Sequence, residues 1–274
     1  MKYRVLIASI LTISLFTSCG EEEFDPATSD VVIVEAYLYA NEPIGNVSIS
    51  QLIPFITEED ETFEVEDAQV FITSGNESYQ LTHDEETPGT YYYNNPDYIV
   101  VPGTSYDITL DYFGKTISAT TTVPPAPINL EVSVDSIEVA PIESRDDLID
   151  RPTLDPIEIY WENTSGDYYY VLIENIENSP QDINTLDFRG PQRNFNFVTQ
   201  PTNLDVHNVP PFSLTQYGTY QIVVYRVGQE YVDLYQTADQ DSRNLTEPFS
   251  NINNGLGIFT SFNSDTVYFE ITRP

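Results

Sequence analysis

A period of two runs through this chain and sets the terms for any fold it can adopt. Tyr106, Ile108 and Leu110 alternate with Asp107, Thr109 and Asp111, and Ile157, Ile159 and Trp161 alternate with Glu158, Tyr160 and Glu162. Alternation of this kind puts one face of an extended segment into a core and leaves the other to solvent. Between such runs stand clusters of turn residues, among them Asn41-Glu42-Pro43-Ile44-Gly45, Ser74-Gly75-Asn76-Glu77 and Asn163-Thr164-Ser165-Gly166-Asp167. No apolar pattern keeps a helical 3.6 period over three turns, so the spacing predicts a nearly all-β protein.

In chain order, Val31 to Tyr39 and Val47 to Ile53 read as strands, the second ended by Pro54. The Ala68 to Thr73 run turns at Ser74–Glu77 into Tyr79-Gln80-Leu81, a hairpin, and Tyr91-Tyr92-Tyr93 forms a short aromatic strand. Tyr106 to Leu110 pairs with Ile117 to Val123 across a turn at Asp111 to Gly114. Pro124-Pro125-Ala126-Pro127 cannot donate to a ladder and marks a boundary. Beyond it, Ile128 to Val139 is expected as one strand, with Ile157–Glu162 and Tyr168–Ile176 as a second hairpin. Glu177 to Pro211 is a long polar loop insertion, and Tyr220 to Val227 resumes the strands. Asp233 to Arg243 is the single expected helix, and Thr266 to Thr272 the closing strand.

Two places share a punctuation: Pro102-Gly103-Thr104-Ser105-Tyr106 and Gln216-Tyr217-Gly218-Thr219-Tyr220 each deliver a tyrosine into an alternating strand. This resembles the corner of immunoglobulin-like and fibronectin-like sandwiches, in which a tyrosine hydroxyl bonds back to the backbone. The expected architecture is therefore two tandem immunoglobulin/fibronectin-like β-sandwich domains, residues 31–124 and 128–274, with Trp161 as a core residue of the second.

The amino terminus is different in kind. A cationic start, Met1-Lys2-Tyr3-Arg4, precedes a 12-residue apolar run from Val5 to Phe16 and then Thr17-Ser18-Cys19. A spanning helix needs about 20 apolar residues, so residues 1–18 read as a cleaved signal peptide. The layout resembles a bacterial lipoprotein signal, which implies acylation of Cys19, the only cysteine in the chain. Several acyl chains hold a protein firmly, because each buried methylene contributes about 0.8 kcal/mol. Residues 19–30 then form an acidic tether. Its start, Gly20, Glu21, Glu22 and Glu23, resembles the export signal that carries Bacteroidota-type lipoproteins to the cell surface.

Cleavage removes Lys2 and Arg4 and leaves 8 basic residues against 44 acidic ones, a net charge of −36 with Lys115 as the single lysine. Such a surface repels nucleic-acid phosphates and anionic head groups, so neither is an expected partner. With Cys19 assigned to lipid, no disulfide is available to the domains.

The chain carries no phosphate-binding glycine loop, zinc spacing or nucleophile elbow. Only His83 and His207 offer imidazoles. His207 has Asp205 and Ser213 near it in sequence, but a triad is a matter of geometry, and His83 beside Asp84-Glu85-Glu86 reads as an exposed turn residue. Glu58–Glu61 and the set Asp239, Asp241 and Asn244 supply oxygens of the type calcium takes, without an EF-hand's glycine and closing glutamate. Tyr91–Tyr93 and Tyr168–Tyr170 offer stacking surfaces of which alternation buries part. Arg189 and Arg193 stand out in so anionic a chain. No catalytic or cofactor residue is assigned and the expected class is non-enzymatic; calcium is the ion the acidic runs best suit, while the preferred reading of those runs is plain solvated acidic loops.

The lipobox, the opening Val31-Val32-Ile33-Val34-Glu35-Ala36, the Glu66-Asp67-Ala68-Gln69-Val70 start, the Pro102–Tyr106 turn and the closing Ser250-Asn251-Ile252-Asn253-Asn254-Gly255-Leu256-Gly257-Ile258-Phe259 together resemble one group. It is a group of Bacteroidota outer-membrane lipoproteins whose domain is of unknown function. The resemblance implies a lipid-anchored protein of the outer membrane, facing the exterior, that assists a TonB-dependent receptor in nutrient uptake. Partner contacts are expected from the Glu177–Pro211 segment and the Asn251–Phe259 loop. A calcium-stabilised adhesin or glycan-binding module is the alternative.

Overall fold

A computed structural model describes residues 31–52, 64–149, 153–186, 194–238 and 249–274. The signal peptide, Cys19, the tether, Glu58–Glu61, Arg189, Arg193 and the Asp239–Asn244 run lie outside them.

The fold is all-β. In the first half the strands are β1 (Val32–Tyr39), β2 (Val47–Gln51), β3 (Val70–Ser74), β4 (Glu77–Gln80), β5 (Thr82–His83), β6 (Thr90–Tyr92), β7 (Ser105–Tyr112) and β8 (Lys115–Thr122). The second half has β9 (Ile128–Val132), β10 (Ser136–Glu138), helix α1 (Arg145–Ile149), β11 (Ile157–Glu162), β12 (Tyr168–Asn175), β13 (Asn196–Val198) and β14 (Val206–Val209). A 3₁₀ turn at Pro211–Ser213 leads to β15 (Gly218–Val227), helix α2 (Gln229–Ala238) and β16 (Leu256–Thr272).

Among the described residues, a nine-stranded sheet runs β13-β12-β15-β16-β1-β2-β6-β5, with β10 also on β16. A four-stranded sheet, β4-β3-β7-β8, and a three-stranded sheet, β14-β11-β9, complete the set. The 17-residue β16 joins the halves. Its first part pairs in parallel with β1, from Ile33↔Leu256 to Tyr39↔Phe262, and its remainder pairs antiparallel with β15. Ile252 and Phe259 pack in the first core, Phe269 and Ile271 in the second. The expected boundary at Pro124 falls between β8 and β9, but the final strand serves both sandwiches.

Alternation along β16 fixes the layers. Phe259, Phe269 and Ile271 share a parity, so both cores lie on the same face of the long sheet, one under each smaller sheet. Phe262 has the opposite parity and lies on the other face.

Both tyrosine corners form. The buried Tyr106 hydroxyl accepts the Val101 N–H at 3.0 Å, and the buried Tyr220 hydroxyl donates to the Gln216 carbonyl at 2.8 Å. The β3–β4 and β7–β8 hairpins form as expected, the latter over Phe113 (φ +46°) and Gly114 (φ +73°), the two positive φ values of a primed turn.

Four expectations change. Residues 128–139 make two strands, not one: β9 stays in the three-stranded sheet and β10 crosses to β16. β11 and β12 are not a hairpin. They lie in different sheets and face each other across the core, with Trp161 and Tyr169 rings 5.3 Å apart. The helix begins at Gln229, four residues earlier than expected, directly after β15. The closing strand begins at Leu256, ten residues earlier.

Candidate functional site

Along β1, Val32, Val34, Ala36 and Leu38 fill the first core, which turns Tyr37 and Tyr39 to the opposite face. β12 does the same with Tyr168 and Tyr170 around the buried Tyr169, and β15 with Tyr225 and Val227 next after the core residue Val224. Register then gathers these side chains where the two halves meet, because Tyr39 and Val227 both pair with Phe262 of β16. Phe262, itself 2% exposed, is the hub. It stacks on Tyr39 at 5.2 Å and meets Tyr231 of α2 edge-on at 5.0 Å, and Tyr170 stacks on Tyr225 at 4.7 Å with 13° between planes.

Helix α2 covers part of this face through Tyr231 and Val232. Glu230 fastens its first turn: its Oε1 accepts the Thr121 hydroxyl of β8 at 3.0 Å and the Thr260 hydroxyl of β16 at 2.9 Å. The Ser261 hydroxyl lies 3.0 Å from that of Thr121, and the Asn263 amide donates to the Pro124 carbonyl at 2.9 Å. A polar seam thus holds both sandwiches and the helix at the middle of β16. The far end of α2 is tied by Thr237, whose Oγ1 accepts the Phe249 N–H at 3.2 Å.

Burial, then neighbouring phenols, push the Tyr39 hydroxyl up to about 12, and burial raises Tyr37, Tyr170, Tyr225 and Tyr231 as well. These phenols stay neutral throughout the ordinary pH range, as partly accessible rings with polar tips. Beside them a cleft of about 260 Å³ is lined by Val232, Tyr235 and Gln236 of α2 and by Gln200 and Pro201. Positions 232, 235 and 236 share one helix face by their spacing. Gln200 and Pro201 belong to the stretch that borders β12, where Thr202 bridges Tyr169. Arg226 pairs with Asp167 and sits over the Tyr169 ring, 5.9 Å from its centroid.

The other candidate residues are placed as follows. His207 lies on β14 and stacks on Phe197 at 6.2 Å, and burial lowers its pKa. The Ser213 hydroxyl donates to the Pro210 carbonyl, and no described hydrogen bond joins His207 to Asp205 or Ser213. His83 is not a turn residue: it lies on β5, where its Nε2 accepts the Gly89 N–H at 3.1 Å. Among the described residues no group of three or more His, Cys, Asp or Glu converges as a metal site. In the first tyrosine triplet Tyr91 is buried and donates to the Val65 carbonyl at 2.7 Å, while Tyr93 packs edge-on against Tyr79. The Glu177–Pro211 segment is no simple loop, since it contributes β13 and β14, the edges of two sheets.

The Asn251–Phe259 segment is spent internally. The Asn251 side chain exchanges two hydrogen bonds with the Phe259 backbone, at 2.9 and 2.7 Å, and Asn253 bridges Ser118. The Asn254 amide donates to the Thr116 carbonyl at 2.9 Å. Gly257, at φ +104°, runs so close to β1 that a Cβ there would stand 2.1 Å from the Val34 carbonyl oxygen. This segment is a clasp between β8 and β1. What sequence reasoning missed was the face built by Tyr37, Tyr39, Tyr225, Tyr231 and Phe262. The available signal was tyrosine at alternate positions on the supposed solvent side of strands whose other side is aliphatic.

Residues 21–267 match the family model described as a domain of unknown function, DUF4249, and the chain belongs to that family. No curated protein matches it. Among solved structures it is similar to the chicken CNTN1 FN1-FN3 domains, at 13% identity over 89% of this chain and 67% of that one, with a TM-score of 0.29. A superposition that loose carries no argument about function.

Proposed function

We propose that this member of the family is a lipid-anchored, non-enzymatic binding protein of the outer membrane, exposed to the cell exterior, that assists a TonB-dependent receptor in nutrient uptake. The observation that carries the binding role is the aromatic face on the outer side of the shared sheet, where neutral rings and a cleft stand together beside α2. The anchor is Cys19, acylated behind a cleaved signal, with Gly20 to Glu23 as the export signal. The receptor partnership comes from the resemblance of the lipobox and closing segment to the outer-membrane group. A shared membrane raises the effective concentration of two partners, so a modest interface suffices to hold them together.

The test is capture of the lipidated protein from native outer membranes in mild detergent, with mass spectrometry of what accompanies it and Cys19→Ala as control. A TonB-dependent receptor in near-equal amount, absent from the control, is the expected result. Recovery of the protein alone, under conditions that preserve other such complexes, overturns the partnership.

A further inference from the structure

We infer that the cleft between α2 and the Gln200-Pro201 stretch binds a neutral saccharide, one ring or chain end at a time. This names a ligand class for the binding role proposed above; it rests on that role and not on the receptor.

The lining has the two properties such a ligand requires. Tyr235 presents a partly exposed ring and Pro201 adds apolar surface, suited to the C–H face of a pyranose, over a floor closed by the buried Val232. Gln200 and Gln236, both exposed, each offer a carbonyl acceptor and two N–H donors. Adjacent sugar hydroxyls donate and accept at once, and a carboxamide answers both demands from one planar group. Among the described residues, no charged side chain lines the cleft. The protein's net negative charge opposes the approach of anionic ligands.

Size and placement point the same way. About 260 Å³ is below the roughly 300–1,000 Å³ of typical small-molecule pockets, so the cleft holds a terminal unit of a longer chain and not a whole oligomer. Val232 belongs both to the cleft lining and to the Phe262 aromatic cluster, so the floor of the cleft is braced by packed rings. Tyr235 and Gln236 are held by a helix fastened at Glu230 and Thr237, and the site is therefore set before the ligand arrives.

Calorimetric titration of the full lipidated protein, in a detergent without a sugar head group, tests this. The probes are maltohexaose, cellohexaose, xylohexaose and mannohexaose, with hexagalacturonate as the anionic control. Saturable binding of at least one neutral probe and none of the control is expected. Tyr235→Ala should weaken that binding roughly tenfold, and Tyr235→Phe should largely retain it. Gln236→Ala should weaken it several-fold. Because Tyr235 and Gln236 are not in either core, unchanged thermal melting certifies that the variants are folded. No saturable binding of any neutral probe overturns the proposal, as does equal binding of hexagalacturonate or affinity unchanged in both alanine variants. Receptor capture lost while sugar binding persists defeats the partnership alone. Receptor capture retained without sugar binding defeats this inference alone.

Discussion

The clasp from Ser250 to Phe259 and the α2 face lie close together in the chain and are opposites in how they use their groups. In the clasp, Asn251, Asn253 and Asn254 turn their polar groups onto Phe259, Ser118 and Thr116, and Gly257 admits the backbone against Val34. On the α2 face, Tyr235, Gln236 and Gln200 keep theirs toward an open cleft. The contrast separates two meanings of a conspicuous sequence. The run Asn-Gly-Leu-Gly-Ile-Phe is distinctive because backbone geometry tolerates few alternatives there. A ligand face needs only rings and amides at a loose spacing, and it leaves a fainter mark.

If that division holds, substitutions in the clasp act on stability and those in the cleft act on binding. Gly257→Val is the severest test of the first half. A side chain would meet the Val34 carbonyl at 2.1 Å with φ at +104°, a combination expected to cost roughly 4 kcal/mol or more and to lower the melting temperature by about 10 °C or prevent folding. Calorimetric melting within a few degrees of wild type would mean the clasp is slack. Asn251→Ala removes both bonds to a fully buried residue and is expected to cost about 2–3 kcal/mol by denaturant titration.

The two corners give a finer comparison between the halves. Tyr106→Phe and Tyr220→Phe should each cost about 1 kcal/mol, because each hydroxyl has two partners, the Val101 N–H and the Tyr98 hydroxyl for Tyr106 and the Gln216 carbonyl and N–H for Tyr220. A denaturant titration that finds a loss at one corner and none at the other would show that the two corners are not equivalent. Alkali probes the aromatic face by itself. Tyr39 is raised from 10.0 to about 12 when folded, so the unfolded chain releases its proton first as pH rises. Its contribution to stability is fully present below about pH 10 and is lost as pH climbs toward 12. Tyrosinate absorbance and melting followed together should show that decline, and Tyr39→Phe should shift it. At the small end stands Tyr235→Ala, expected to change stability by less than about 0.5 kcal/mol. A large loss there would erase the distinction between clasp and cleft.

Much of the strand content was legible because local chemistry decided it. The β7–β8 hairpin follows from alternation on both sides of a turn that ends in Gly114, which takes positive φ freely, and the corners follow from a Gly-Thr turn ahead of a tyrosine. What alternation cannot reveal is the partner of a strand. Ile157–Glu162 and Tyr168–Asn175 alternate as a hairpin would, yet Trp161 and Tyr169 face each other from different sheets. The reach of β16 was hidden for a related reason: its centre, Ile258 to Asn263, is buried on both faces, which removes the alternation that marks a strand. Helix α2 was displaced because, among its described residues, only Tyr231 and Val232 join an apolar cluster, too few to set a period. The candidate site needed all three of these hidden facts before Tyr39, Tyr170, Tyr225 and Phe262 could be seen as neighbours.

The parallel pairing of β1 with β16 has a mechanical consequence. With the lipid at Cys19 as proposed, tension on the protein enters at the start of β1 and leaves through the distal part of β16, toward the second half. Seven residue pairs, Ile33↔Leu256 to Tyr39↔Phe262, then bear the load side by side along their length and do not peel one at a time. A shear joint of this kind yields only when many bonds fail together, so its lifetime under pull is set by the rate of unfolding and not by the equilibrium stability.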